Sequence, residues 1–335
     1  MLAQTRQAAL LASFMGALTT GSRTGSAGLR PIELHAHDAL RYIGDMLAWV
    51  HQGIAAEREF LEALLSIDTG MRMPGAVRAP AHAEDEWLAE LMDAAVAGLC
   101  GPLRARVLQT IRAQESGLNA YKVARLLQFY ALTMARTLGS RALLATTLRE
   151  CVVLPRFFSP RSPHPETKHD ISRTTAASYT VFFDAIAAQG RALLRVSLDT
   201  TDASLTPPQA LLTHAQDLRA ILALHTAEVD GDDDDDEADG GGGGDGATIE
   251  RALDALVDPA VRMCVGAAEE KDAVLRRRAA PAGAAAAWDR PVFVLNCLTY
   301  LADTLAQHAC AARKRAELDG AVEARVRELI EEHVR

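Results

Sequence analysis

The chain has 335 residues, 49% of them apolar but only 5% aromatic, so a large core has to be filled with Ala, Leu and Val. Nine of its 44 acids crowd between Asp230 and Gly246, where there is no base; this leaves 35 acids against 35 Lys and Arg, a neutral body. Such a body argues against a dedicated nucleic-acid binder, which needs a basic face, and no apolar run reaches the roughly 18 residues of a membrane span.

In chain order, the run Ala8 to Leu18 reads as the end of an amphipathic helix closed by Gly21. With Arg6 ahead of it and no acid before Glu33, it also fits a short signal or transit peptide. Asp38 is a good N-cap for a helix running to about Ile67. Leu40, Ile43, Leu47, Val50, Ile54, Leu61 and Leu64 repeat at three and four, a stripe that faces a neighbouring helix, and Glu57 is the one seam position that is not apolar. Arg58, Glu59 and Glu62 fall on the opposite, wet side. A second helix is expected over Glu84 to Gln114, with Leu88, Leu91, Ala95, Leu99, Leu103, Val107 and Ile111 as its stripe and a kink or break at Gly101-Pro102. A third covers Ala120 to Leu138 and a fourth Arg141 to Leu154.

Four prolines between Pro155 and Asp170 predict a loop. Helix resumes from Arg173 to about Leu198, stops at Pro207-Pro208, and continues from Gln209 to Thr226. Like charges and five consecutive glycines predict a disordered insert over Asp230 to Gly246. A helix over Ile249 to Arg278 and a last one over Pro291 to Val334, with Val294, Leu298, Leu301, Leu305, Val322, Val326 and Leu329, complete the chain. No alternating β-branched run is present, so the expected fold is all-α, a rod of stacked helical bundles, with no short repeat period. The segments are a first helical region over 1–154, a Pro-rich loop over 155–170, a helical continuation over 171–229, the insert over 230–246 and a C-terminal bundle over 247–335.

Candidate chemistry is sparse. His35-Ala36-His37-Asp38, with His51 further along the same helix, offers imidazole and carboxylate ligands for zinc or iron, and so a metal-dependent hydrolase. A capping Asp flanked by surface histidines accounts for the same string. The glycine run Gly240 to Gly244 follows acids rather than a strand and lacks the Lys-Ser/Thr of a phosphate loop. The acidic tract lacks the spacing of a calcium loop. Arg276-Arg277-Arg278 and Arg313-Lys314-Arg315 are read as wet helix faces, with anionic lipid or acidic partners as the alternative. Five cysteines, Cys100, Cys151, Cys264, Cys297 and Cys310, form no C-x-x-C pair and suit a reducing compartment. Tyr42, Met46 and Trp49 are core residues by spacing, or a face that a partner covers. No residue is assigned a catalytic, cofactor-binding or metal-binding role, and the chain is expected not to be an enzyme.

The run from Arg30 to Gln52, RPIELHAHDALRYIGDMLAWVHQ, followed by Leu61-Glu-Ala-Leu-Leu65, resembles the signature of the sixth subunit of the conserved oligomeric Golgi complex. Further similar segments follow in order: Gly98 to Val107, Tyr121 to Tyr130, Pro207-Pro208 and the helix after it, Asp258 to Cys264, and Asn296 to Glu317. Phe14 to Thr19 resembles an internal family segment, which weighs against a targeting peptide. The resemblance covers the middle and C-terminal helical region of such a subunit. It implies an elongated, non-catalytic tethering scaffold in intra-Golgi retrograde transport, peripheral on the cytosolic face of the Golgi membrane. The partners it implies are the other subunits of that complex, SNAREs and Rab GTPases; no cofactor and no nucleic acid are expected. An adaptor unrelated to Golgi traffic is the remaining alternative.

Overall fold

The computed structural model describes residues 1–21, 30–64, 81–152, 178–229, 242–279 and 288–334. Among these there are ten α-helices, two short 3-10 turns and no strand. The helices divide into two compact units, Met1–Phe182 and Phe183–Arg335.

The first unit opens with α1 (Leu2–Thr19), which buries Leu10, Phe14 and Leu18 at steps of four. It ends where the N–H groups of Thr20 and Gly21 both donate to Gly16 O at 2.9 Å, with Gly21 at φ 74°. That left-handed turn suits glycine, which has no Cβ to clash. The run that could pass for a targeting peptide is thus a core helix, with the tilted rings of Phe14 and Trp49 centred 5.2 Å apart. A 3-10 turn (Ile32–His35) leads into α2 (Ala39–Leu64). Ile43, Met46, Leu47, Val50, Ile54 and Leu61 are fully buried, while Leu40 and Leu64 at the two ends of the stripe are exposed. Tyr42 and Met46 lie in the core and Trp49 is half-buried, so they form no open recognition face.

The helix α3 (Ala81–Arg112) runs without a break through Pro102, so of the kink or break expected there the break is absent. The fully buried Leu99, Leu103 and Val107 lie on both sides of the proline, so packing holds the two halves in one helix at the loss of one backbone hydrogen bond. Capped by Ser116, whose Oγ accepts from Asn119 N, α4 (Gly117–Leu138) buries Ala120, Val123, Ala124, Leu127, Ala131 and Met134. It turns at Gly139 into α5 (Leu143–Val152). The core of this unit is aliphatic, built where α1 and α2 lie on α3 and where α4 meets α2 and α5.

The seam position Glu57 is only 3% exposed, and Arg6 from α1 meets it with two hydrogen bonds, Nε at 2.7 Å and Nη2 at 2.6 Å. The guanidinium also lies 4.0 Å over the Phe60 ring. A bidentate pair of this kind lets a carboxylate occupy a core-facing position.

The helix α6 (Ser178–Leu193) crosses from the first unit into the second. It ends at Leu193, five residues earlier than the apolar pattern suggests. The irregular stretch that follows is held by distant side chains: Trp288 Nε1 donates to Ser204 O at 3.2 Å, Asn296 Nδ2 to Leu205 O at 2.9 Å, and Lys271 Nζ to Asp202 O. Those partners lie some 70 to 90 residues away in sequence, beyond the reach of any local pattern.

In the second unit α7 (Gln209–Val229) and α8 (Gly242–Ala279) pack with α9 (Arg290–Leu305) around Leu218, Leu222, Leu256, Val257, Cys264, Leu298 and Leu301. Asp289 caps α9 by accepting from Val292 N, with Pro291 in the first turn. A Cβ added to Gly190 of α6 would lie 2.9 Å from Pro259 Cγ of α8, so this glycine sets how closely the two helices approach. The single last helix expected over Pro291 to Val334 is two helices, α9 and α10 (Ala312–Val334), parted by extended His308 and a 3-10 turn (Ala309–Ala311). That bend folds α10 back against α9. The expected loop over Pro155 to Asp170 lies outside the described residues, as do residues 230–241 of the acidic insert; Gly242 to Gly246 are helical, as the start of α8.

Candidate functional site

The HAHD string sits where the 3-10 turn enters α2, and each of its members has a structural partner. Asp38 Oδ1 accepts from Arg41 N at 3.2 Å, the ordinary work of an N-cap. His35 Nδ1 lies 2.9 Å from Asp45 Oδ2, and His37 Nδ1 lies 3.1 Å from Leu34 O. His51 is thirteen residues beyond Asp38 on the same helix, ~20 Å along its axis. A metal cannot bridge that span, and among the described residues no group of three His, Cys, Asp or Glu is placed to hold one. The hydrolase reading of His35, His37, Asp38 and His51 therefore has no geometry behind it. What the string does is fasten the turn, together with Glu33, which accepts from Arg106 of α3 at 2.8 and 3.2 Å. The hydrogen bond to Glu33 pushes the Arg106 guanidinium further up.

An open cleft of about 670 Å³ lies beside this turn, lined among others by His37, Asp38, Gln109, Asn119 and Lys122. Of its lining groups, Thr110 donates its hydroxyl back to Arg106 O at 2.9 Å and Tyr42 has its phenol pushed up by burial. Neither is handed to a base, so the cleft brings together no nucleophile pair. Burial likewise raises Cys100, carries Cys151 up to about 11, and raises Cys310. Cys264, hydrogen-bonded to Cys297, is raised as well, so these four thiols stay protonated at neutral pH.

The Arg313-Lys314-Arg315 cluster is not a free wet face, which corrects the reading of it as one. Lys314 is buried, and its Nζ lies 2.9 Å from Asp254, 2.7 Å from Asp258 and 2.9 Å from Glu317. Arg313 reaches Asp254 at 3.0 Å and Glu317 at 2.6 Å. These contacts clamp α10 to α8. Burial disfavours the Lys314 cation, but hydrogen bonds to the three carboxylates outweigh it and hold its pKa above the usual lysine value. Of the other cluster, Arg276 pairs with Asp272 of its own helix at 3.0 Å.

The feature that the sequence reading missed is the outer side of α4. Its inner side carries the expected Val123, Leu127 and Met134, but Phe129 is 61% and Leu132 55% exposed. A second stripe, Leu118, Lys122, Arg125, Phe129, Leu132 and Arg136, repeats at four and three along the outer face. The signal was available: Ser116 to Arg149 holds five bases and no acid inside an otherwise neutral body.

A family model described as Conserved Oligomeric Golgi complex subunit 6, C-terminal, matches residues 1–156 and 169–335. The chain is 37% identical over 334 residues to the conserved oligomeric Golgi complex subunit 6 of Cryptococcus neoformans, covering 99% of this chain and 39% of that protein. It is 30% identical to the human subunit 6 (98% of this chain, 41% of that protein) and 27% identical to that of Arabidopsis thaliana (98% and 47%). The chain thus spans about two fifths of the length of the first two. No solved structure matches it.

Proposed function

Because the chain belongs to the conserved oligomeric Golgi complex subunit 6 family, we propose that it is a helical scaffold segment of the Golgi vesicle-tethering complex, peripheral on the cytosolic face of the Golgi membrane. The observation that carries this is the family match over both helical units, 1–156 and 169–335. The physical reading agrees with it. Aliphatic cores hold two helical units, and exposed apolar side chains remain outside those cores, as on α4. Binding then depends on surfaces held at fixed spacing, where several weak contacts act together to gain avidity. No helix of the described residues is long and apolar enough to cross a membrane, in keeping with peripheral association. The proposal gives the chain no reaction of its own. Its partners are the other subunits of the complex, with SNAREs and Rab GTPases engaged through the assembly.

Affinity purification of the tagged chain from cells of its source tests this. The expected result is co-purification of other Golgi-complex subunits in constant ratio. Recovery of the chain without any of them would overturn the proposal.

A further inference from the structure

We propose that the outer face of α4 docks on an anionic phospholipid surface, a contact that deepens the membrane-apposed placement just proposed and rests on it. The charges on α4 are Lys122, Arg125 and Arg136; all are positive, and all lie on the stripe that also carries Phe129 and Leu132. From Leu118 to Arg136 the stripe is ~27 Å long. Its two most exposed apolar side chains lie between cationic positions on either side, an arrangement that suits the boundary between headgroups and acyl chains. Arg141 and Arg149, both exposed, extend the positive stretch into α5. Asp45 of α2, a helix that packs against α4, already faces His35 at 2.9 Å and Arg41 at 3.7 Å.

Charge decides the occupant. Lys122 and Arg136 on the stripe, with Arg141 and Arg149 beyond it, are cations that a partner helix would have to desolvate and match with carboxylates in register. A lipid surface asks for neither. Its phosphates meet the cations in the wet headgroup layer, where Lys and Arg keep their charged ends hydrated, while Phe129 and Leu132 enter the layer below. The contact is weak by itself and gains from the other attachments of an assembly.

Flotation of the full chain with vesicles tests the proposal, using phosphatidylcholine alone or with about 30% phosphatidylserine. The expected result is flotation only with the anionic vesicles. A Lys122→Gln/Arg136→Gln variant should lose about 30-fold in partitioning, roughly fivefold per cation. Phe129→Ser should weaken flotation further, while Arg276→Gln/Arg277→Gln on α8 should stay within about twofold of the parent. All four cations replaced here are at least partly exposed, so an unchanged circular dichroism spectrum and melting curve identify folded variants. Flotation equal on neutral vesicles, or unchanged in the α4 variants, would overturn the proposal. If Phe129→Ser releases a complex subunit while flotation persists, the face belongs to a protein partner and the lipid reading falls. Because flotation uses the isolated chain and co-purification uses the complex, each claim can fail without the other.

Discussion

Replacing Arg6 by Ala strands the Glu57 carboxylate on the core-facing stripe of α2. Its side chain is 2% exposed, whereas that of Arg6 is 26% exposed. Breaking a fully buried ion pair from one side costs about 3–5 kcal/mol. Water can reach the space that the guanidinium leaves, which lowers the cost to roughly 2–3 kcal/mol, including the lost contact with the Phe60 ring. A unit of this size shifts its melting point by about 2–4 °C per kcal/mol, so the expected drop is roughly 5–10 °C. The double replacement Arg6→Met/Glu57→Leu restores an apolar seam and should melt within a few degrees of the parent or above it. Thermal unfolding in a Trp87→Phe/Trp288→Phe background leaves Trp49 as the reporter of this unit. A melting point for Arg6→Ala within about 1 °C of the parent would show that the pair is solvated, and the reasoning would fail. So would a double variant less stable than Arg6→Ala alone.

Gly190→Ala pushes a methyl against the Pro259 ring and should cost about 1–3 kcal/mol of second-unit stability, whereas Gly101→Ala on α3 meets nothing within 4 Å and should not destabilise the first unit; paired urea melts decide, and equal costs would refute the contrast. Leu47→Asp places an unpaired carboxylate at a fully buried position and should abolish the cooperative melt of the first unit, measured by calorimetry. The α8–α10 clamp should also give a sign-definite pH response. Burial raises the Asp254 carboxyl, but hydrogen bonds from Lys314 and Arg313 outweigh that and hold it below its usual value; Lys314 does the same for Glu317. A depressed carboxylate contributes its stability above the unfolded pKa and loses it as pH falls through the folded one, so the second unit should weaken below about pH 4. Thermal melts from pH 6 to pH 3 should show a shallower acid slope for Lys314→Met than for the parent, and parallel slopes would count against the clamp.

The sequence by itself determined the all-α class and the inner faces of α2, α3 and α4. A stripe at three and four is a local property, fixed by the 3.6-residue turn before any packing occurs. It also flagged Glu57 as the odd residue in the α2 seam and Asp38 as a cap. The resemblance through Arg30 to Gln52 pointed to the family that the comparisons then established. The tertiary structure alone decided what depends on distant partners. Arg6 stands 51 residues from Glu57. Lys314 reaches back to Asp254 and Asp258 on α8, turning a supposed wet cluster into a clamp. The irregular stretch from Asp202 to Leu205, beyond the end of α6, is held by hydrogen bonds from Lys271, Trp288 and Asn296. The outer side of α4 required both views: its charge pattern is written in the chain, but only packing against α2 and α5 shows that Phe129 and Leu132 are left in water.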